Sequence, residues 1–166
     1  MASSQVCLIL LLALITISAS ASSATPSIYD KLREYGLPPG ILPDSVSSYS
    51  LDKETSIFEI SLKKECYVKK DYLVYFAPKI TGKISKGQIT ELYGVQVQTY
   101  VLWIPTWVSI YEIKVFRNKV QLTVPMKTVD VNIADFEEIP TCQGNSLAAC
   151  NDQSNVINPL PLIEAN

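Results

Sequence analysis

Histidine is absent from the whole chain of 166 residues. This absence excludes Ser-His-Asp and Cys-His nucleophile systems, zinc sites built on histidine and a histidine general base. Acid and base chemistry would therefore rest on carboxylates, which are densest at Asp135, Glu137 and Glu138. Adjacent residues of a strand face opposite ways, and such acidic groups usually lie on a solvated surface. We expect no catalytic residue, no metal site and no cofactor.

Glycine and excess positive charge are also scarce. The six glycines are too dispersed along the chain to form a phosphate loop or a dinucleotide fingerprint. The 14 basic residues stand against 16 acidic ones, for a formal net charge of −2. Domains that bind nucleic acid usually present a strongly basic face, so we expect no nucleic-acid partner.

Long apolar runs are limited to residues 6–17, which are too few to span a bilayer as a helix of about 20 residues. Small residues follow this run, and Ala21 and Ala24 are both suitable cleavage positions. We interpret residues 1–24 as a signal peptide, although no lysine or arginine precedes the apolar run. The predicted destination is the secretory pathway, with the extracellular space (apoplast) as the default and the vacuole as the alternative.

Removal of the leader takes Cys7 with it and leaves three cysteines, Cys66, Cys142 and Cys150. An odd number in an oxidising compartment indicates one disulfide and one spare thiol. A bridge between Cys66 and Cys142 would close a long loop, for about 4 to 5 kcal/mol on the chain-entropy model. A bridge between Cys142 and Cys150 would only close a ring in the tail. We favour the long bridge.

The first predicted element is a helix over residues 26–35, with Thr25 as the capping hydroxyl and Pro26 in the first turn. Ile28, Leu32 and Tyr35 fall on one face of it, so the helix is expected to pack on a core. Gly36 marks its end. The proline-rich residues 37–43 then exclude a helix and predict a stiff extended turn.

From residue 44 to about residue 135 the apolar period is two, which is typical of half-buried strands. Three alternating sets are clear: Phe58, Ile60 and Leu62; Val120, Leu122 and Val124; Val129, Val131 and Ile133. Turn residues at 52–54, 69–71, 85–87, 93–94 and 117–119 divide this stretch into short predicted strands. This spacing predicts an all-β domain over residues 25–142, mainly an antiparallel sandwich or barrel with one short N-terminal helix. Residues 143–166 show no regular spacing of apolar residues, and we expect a disordered tail.

Seven of the fourteen basic residues lie between residues 63 and 86, which gives this region a local charge of about +5. They are Lys63, Lys64, Lys69, Lys70, Lys79, Lys83 and Lys86, against Glu65 and Asp71. One interpretation is a surface that meets an anionic membrane. The other is that these lysines protect turns and sheet edges from aggregation.

Residues 100–108 are apolar on both faces and contain both tryptophans, Trp103 and Trp107. As a central strand, the segment would be core. Proline is poorly tolerated inside a central strand, so a loop broken at Pro105 is the alternative. Such a loop would be an exposed aromatic wedge or the wall of a lipid-sized pocket.

Several ordered blocks resemble one plant family, catalogued as domain of unknown function five-three-eight. The blocks are residues 26–30 (PSIYD), 35–43 (YGLPPGILP), 80–84 (ITGKI) and 92–97 (LYGVQV), with Phe136 and Cys142 after them. The resemblance covers about residues 26–142. It implies a β-rich fold of coiled sheets with a short N-terminal helix, a secretory leader, and a pairing of Cys66 with Cys142. Pro125 departs from the family pattern, which often has a glycine after the strand that ends at Val124.

The resemblance supplies no catalytic motif. It implies links to stress responses and trichome development, and proposed roles in binding lipopolysaccharide or in degrading chlorophyll. Together with the residues above, it favours a secreted, non-catalytic binding protein for a lipid or other amphiphile. The candidate ligand-binding residues are Trp103, Trp107, Lys63, Lys64, Lys69, Lys70 and Lys83. The alternatives are a hydrolase that uses Asp135, Glu137 or Glu138, and an apoplastic protein partner bound through a sheet edge.

Overall fold

A computed structural model describes residues 26–125 and 127–143 of the chain. The predicted leader, Cys150 and the predicted tail beyond Gln143 lie outside these residues. One α-helix, α1 (Ile28–Glu34), and two 3-10 helices, η1 (Pro39–Ile41) and η2 (Ile133–Phe136), are present in the described part. The strands are β1 (Val46–Leu51), β2 (Ile57–Leu62), β3 (Cys66–Lys69), β4 (Leu73–Ser85), β5 (Gln88–Val101), β6 (Ile104–Ser109), β7 (Glu112–Phe116), β8 (Lys119–Val124) and β9 (Lys127–Asn132).

The N-terminal helix is confirmed, with a different cap from the predicted one. Ser27 has a non-helical ψ of 147°, and its side chain accepts a hydrogen bond from the backbone N–H of Tyr29. Ser27 is therefore the N-cap, and Pro26 precedes the helix instead of lying in its first turn. Ile28 and Leu32 are buried, as the helical spacing predicted. Gly36 follows the helix with a φ of 73°, in the left-handed region that glycine tolerates at helix ends.

The proline-rich segment is not purely extended, and this part of the prediction was wrong. Pro38 is extended, but residues 39–41 form the 3-10 helix η1. A proline at the first position of such a turn is compatible with the fold because its fixed φ suits the turn and its missing N–H would have no partner there. Residues 37–43 are all buried, so the segment is a wall of the domain.

The alternating pattern is confirmed along most of the sheet. In β2 the apolar set at 58, 60 and 62 is buried, and in β8 the set at 120, 122 and 124 is buried. The third set ends early, because Ile133 begins η2 instead of continuing β9. The predicted turn at 93–94 was also wrong, since β5 runs through it. Gly94 adopts a φ of 92° there, and a Cβ at this position would lie 2.5 Å from the carbonyl oxygen of Lys79.

The strands form one antiparallel sheet that is not closed into a barrel. Its order is β1-β2-β4-β5-β7-β8-β9, with β3 also paired to β4 and β6 also paired to β5. The predicted class, all-β with a short N-terminal helix, is confirmed. The long strands β4 and β5 each change partner along their length, which divides the sheet into two halves. The small half contains β3, residues 73–76 of β4, residues 95–101 of β5 and β6. The large half contains the other strands and the remaining parts of β4 and β5.

The predicted disulfide between Cys66 and Cys142 is present, with the two Cα atoms 5.3 Å apart. It joins β3 to the segment after η2. Backbone hydrogen bonds reinforce this connection on both sides of the bridge. The Gln143 N–H donates to the Tyr67 carbonyl at 2.8 Å, and the Asp44 N–H donates to the Pro140 carbonyl at 3.0 Å. Gln143, predicted to begin a disordered tail, is therefore tied to β3.

Removing the bridge tests its contribution. We expect the Cys66→Ala, Cys142→Ala double variant to lose about 4 to 5 kcal/mol of unfolding free energy, because a loop of this length is no longer closed in the unfolded chain. Chemical denaturation in urea measures the loss. Cys150→Ala is the matched control and should leave stability unchanged. A comparable loss in Cys150→Ala would contradict the assignment of the bridge.

Candidate functional site

A cavity of about 230 Å³ lies between the two halves of the sheet. Its walls are apolar side chains from both halves. They come from β3, β4 and β5 on one side (Val68, Val74, Phe76, Val95, Val97) and from the β7 to β9 side on the other (Ile110, Ile113, Leu122, Val131). Gly40, Ile41, Phe136 and Pro140 close it along the 3-10 helices. The cavity therefore exists because the two halves diverge where β4 and β5 change partners.

This cavity stands out from the packing of the rest of the domain. The core beneath α1, lined by residues such as Leu32, Phe58 and Ile80, leaves only about 20 Å³. Protein interiors are normally packed as densely as organic crystals. The apolar side chains that line the 230 Å³ cavity therefore lack the close packing contacts that the core beneath α1 has.

The polar residues of the cavity lining mark its mouth. Lys70, Asp71 and Asp135 line the cavity and are exposed, and Tyr72 beside them is half-buried. The Lys70 ammonium group donates a hydrogen bond to the backbone carbonyl of Asp135 at 2.6 Å. This bond links the turn between β3 and β4 to η2. The site thus combines an apolar interior with a charged rim of both signs.

Gly40 fixes the position of η2 over the cavity. A Cβ on this residue would meet the carbonyl oxygens of Phe136 and Glu138, and both are backbone atoms that cannot rotate away. The glycine therefore allows η1 and the segment after η2 to approach closely. Without that approach, the wall formed by Phe136 and Pro140 would stand further from the sheet.

Neither predicted tryptophan is among the cavity-lining residues. Trp107 is half-buried and makes edge contacts with Tyr67 and Tyr75, at centroid distances of 6.2 and 6.1 Å. These three rings form an aromatic cluster on the outer face of the small half. Trp103 lies in the two-residue turn between β5 and β6 and is 94% exposed.

Residues 100–108 form neither a central strand nor a loop broken at Pro105, so both predicted conformations were wrong. They form a hairpin whose break falls at Leu102 and Trp103. Pro105 lies inside β6, paired with Tyr100. The proline is tolerated because β6 pairs only with β5 among the described strands, which leaves one side of β6 without a ladder. Trp103 is exposed, as in the aromatic wedge that was one of the alternatives.

The candidate lysines do not form one patch. Lys63 and Lys64 lie in the connection between β2 and β3, whereas Lys69 and Lys70 lie at the far end of β3. Lys83 lies in the large half, ten residues beyond Leu73 along β4, and pairs with Glu91 at 2.7 Å. Lys79, on the same strand, pairs with Glu59 at 2.8 Å. Of the candidate lysines, only Lys70 lines the cavity.

The resolved pKa shifts of carboxyl groups lie away from the cavity. Hydrogen bonds from Gln121 and Lys119 lower the pKa of Asp130, and backbone N–H groups after Asp52 lower the pKa of that residue. Burial raises the pKa of Tyr75 in the aromatic cluster. Of the predicted acidic group, Asp135 lines the mouth, while Glu137 and Glu138 are exposed. Within residues 26–125 and 127–143, no three acidic or cysteine side chains cluster closely enough to hold a metal ion.

The family model for "Protein of unknown function, DUF538" matches residues 28–137 of the chain. The chain belongs to this family. An uncharacterized protein of Arabidopsis thaliana, At5g01610, is 31% identical over 98 residues, which are 58% of this chain. The match spans 55% of the length of that relative. No solved structure matches the chain. In the part of the chain that the structure describes, no helix is long and apolar enough to cross a membrane.

Two of the sequence blocks that resemble the family contribute residues to the cavity. Gly40 and Ile41 line it from the proline-rich block, and Val95 and Val97 line it from the block that contains Gly94. No pattern in the sequence indicated that these residues meet, because an inward-facing valine has the same spacing whether it contacts a packed core or a cavity. Tyr72 and Asp71 at the mouth were missed for a related reason. They occupy an ordinary polar turn in the sequence.

Gly40→Ala tests the closure of the cavity. The added methyl group should displace η2, because the carbonyls of Phe136 and Glu138 occupy its position, and we expect a loss of about 1 to 3 kcal/mol in unfolding free energy. Amide hydrogen exchange should accelerate at residues 133–137 more than in β2. Unchanged exchange at these residues would contradict the close approach seen here.

Proposed function

We propose that this DUF538 protein is a secreted, non-catalytic binding protein for a small amphiphile. The apolar part of the ligand occupies the cavity between the two sheet halves, and its polar group stays at the mouth. The single observation that carries the proposal is the 230 Å³ apolar cavity with a charged rim. Small-molecule sites in proteins are typically mostly apolar, with a few polar groups that orient the ligand.

The energetics of the cavity favour an occupant. An acyl chain inside the cavity would make van der Waals contacts with its apolar walls. Burial of each methylene group contributes about 0.8 kcal/mol. A linear chain therefore suits the site better than a polar solute, whose hydrogen-bonding groups would find no partners on these walls.

The mouth favours a polar head group of low net charge. The Lys70 ammonium has three donors, and one of them already reaches the Asp135 carbonyl. The remaining donors are available to an oxygen of the ligand. Asp71 and Asp135 line the same mouth and oppose a strongly anionic group. A fatty acid or fatty alcohol meets these conditions.

The secretory part of the proposal rests on the apolar leader at residues 6–17 and on the disulfide between Cys66 and Cys142. Disulfides form and persist mainly in oxidising compartments. The extracellular space is the proposed destination.

A carboxylate-dependent hydrolase is the second candidate, because Asp71 and Asp135 line one cavity mouth. Ester substrates with acyl chains that fit the cavity would then be turned over, and Asp71→Asn or Asp135→Asn would abolish the turnover while leaving binding intact. The non-catalytic proposal expects binding of such esters without hydrolysis in the wild-type protein.

Titration with linear fatty acids of increasing length tests the binding proposal. Displacement of a fluorescent fatty-acid analogue should show affinity rising about fourfold for each added methylene, since 0.8 kcal/mol corresponds to that factor. The rise should stop once the cavity is full. A continuous rise without a plateau indicates adsorption to the surface and would contradict a bounded cavity.

Filling the cavity from either wall provides the matched variants. Val97→Phe on β5 and Val131→Phe on β9 should each weaken binding of the fluorescent analogue at least tenfold while the protein stays folded. Val115→Phe on β7 is the control, because Val115 packs against the core without lining the cavity. Equal affinity in all three variants would place the ligand elsewhere.

A further inference from the structure

The turn between β5 and β6 exposes an unusual amount of apolar surface. Trp103 is 94% exposed, Leu102 is 82% exposed and Ile104 is 65% exposed. Tyr100, on the strand beneath them, is 40% exposed. We refer to Tyr100, Leu102, Trp103 and Ile104 as the hairpin tip. Single exposed apolar residues are common on proteins, but four at one projecting point are not explained by the fold.

The backbone of the hairpin tip is unfavourable for the residues that form it. Leu102 has a φ of 48° and Trp103 a φ of 68°. A two-residue turn with both values positive is normally made by Asn-Gly, because bulky residues lose about 1 to 2 kcal/mol in this region. By contrast, the turn between β4 and β5 places Gly87 at its positive φ. The chain thus retains two large apolar side chains at a cost in stability, which is typical of functional positions.

The register of the sheet places the hairpin tip at the same end as two lysines. Val97 of β5 pairs with Val74 of β4, so residues 99–103 extend past the start of β4. Lys69 at the end of β3 and Lys70 in the turn that follows it lie at this end of the small half. Asp71 is in the same turn, so these three charged residues together keep a modest positive charge. Lys70 also lines the cavity, so the hairpin tip and the cavity mouth share one end of the domain.

We propose that the hairpin tip docks the protein on a lipid bilayer, with Trp103, Leu102 and Ile104 inserted among the head groups and upper acyl chains. Tryptophan and tyrosine favour this interface because their rings are apolar with one polar group. Lys69 and Lys70 would lie near the lipid phosphates, where each basic residue contributes about 1 kcal/mol on anionic membranes.

A bilayer suits this surface better than a protein partner does. A specific protein interface buries about 800 Å² on each side, and a two-residue turn with its flanking residues offers much less than that. A projecting point can enter a fluid interface without a complementary pocket. Docking does not depend on an occupied cavity. If both proposals hold, a ligand passes between the bilayer and a cavity mouth that faces it.

Fluorescence of Trp103 tests the docking directly. In the Trp107→Phe variant, Trp103 is the sole tryptophan, and the phenyl ring preserves part of the contact with Tyr67 and Tyr75. Phosphatidylcholine vesicles with a minor fraction of phosphatidylglycerol should shift its emission to the blue. Lipids brominated on the acyl chain should quench it. Unchanged emission at saturating vesicle concentration would overturn the proposal.

A double substitution removes the two most exposed apolar side chains of the hairpin tip and should leave the fold intact. Leu102→Asn with Trp103→Gly supplies the preferred residues for the turn, so its Tm should rise by about 4 to 8 °C. Its sedimentation with the same vesicles should fall at least tenfold. Phe116→Ser with Arg117→Gly is the matched control at the turn between β7 and β8, where Phe116 is 50% exposed. This control should sediment as the wild type does.

These variants test the docking proposal and the cavity proposal independently of each other. Val131→Phe should lose binding of soluble fatty acid and keep vesicle binding. Leu102→Asn with Trp103→Gly should show the reverse. Wild-type sedimentation of the latter variant would refute docking by the hairpin tip, whatever the cavity binds.

Discussion

The pairing of β4 with β5, and its irregularity, is the constraint on which the rest of the structure depends. Phe76 pairs with Val95 and Thr81 with Tyr93, so three more residues are accommodated on β4 than on β5 between these pairs. Gly94 makes this possible, because its φ of 92° and missing Cβ let the strand pass the carbonyl of Lys79. The two strands can then change partners. The cavity lies where they do so.

The disulfide and the 3-10 helices lie beside this space and narrow it to a cavity with one mouth. Cys66 on β3 belongs to the small half, and Cys142 follows η2 in a segment whose backbone is hydrogen-bonded to Asp44. The bridge therefore fixes the segment after η2 to the small half, while Gly40 allows η2 to cover the cavity. In this arrangement the residues that close the cavity also join the end of the domain to its middle.

Much of the fold could be predicted from local sequence patterns. The spacing of Ile28 and Leu32 predicted the helix, and the alternation in β2 and β8 predicted their buried faces. The turn at Gly94 was mispredicted because glycine marks both turns and irregular strands, and the difference depends on what approaches its backbone. The length of the disulfide loop favoured the correct partner, and the family resemblance agreed.

The site was harder to predict because it is defined by missing contacts. Val97 and Val131 have the alternation of ordinary core residues, and only the positions of distant strands reveal the space between them. Exposure of Trp103 was one of the alternatives that the sequence left open, and the turn at Leu102 and Trp103 was not predicted because the residue pair Leu-Trp disfavours such a turn. The clustering of lysines along the sequence did not predict one surface patch, since Lys83 and Lys70 lie in different halves of the sheet.

Nuclear Overhauser effects between a bound acyl chain and the valine methyl groups would show whether the ligand lies inside the sheet. With isotopically labelled fatty acid and methyl-labelled protein, we expect cross-peaks from the acyl chain to Val74, Val97 and Val131, on facing walls of the cavity. Cross-peaks confined to Leu102 and Ile104, or none under conditions of saturation, would contradict a ligand inside the sheet.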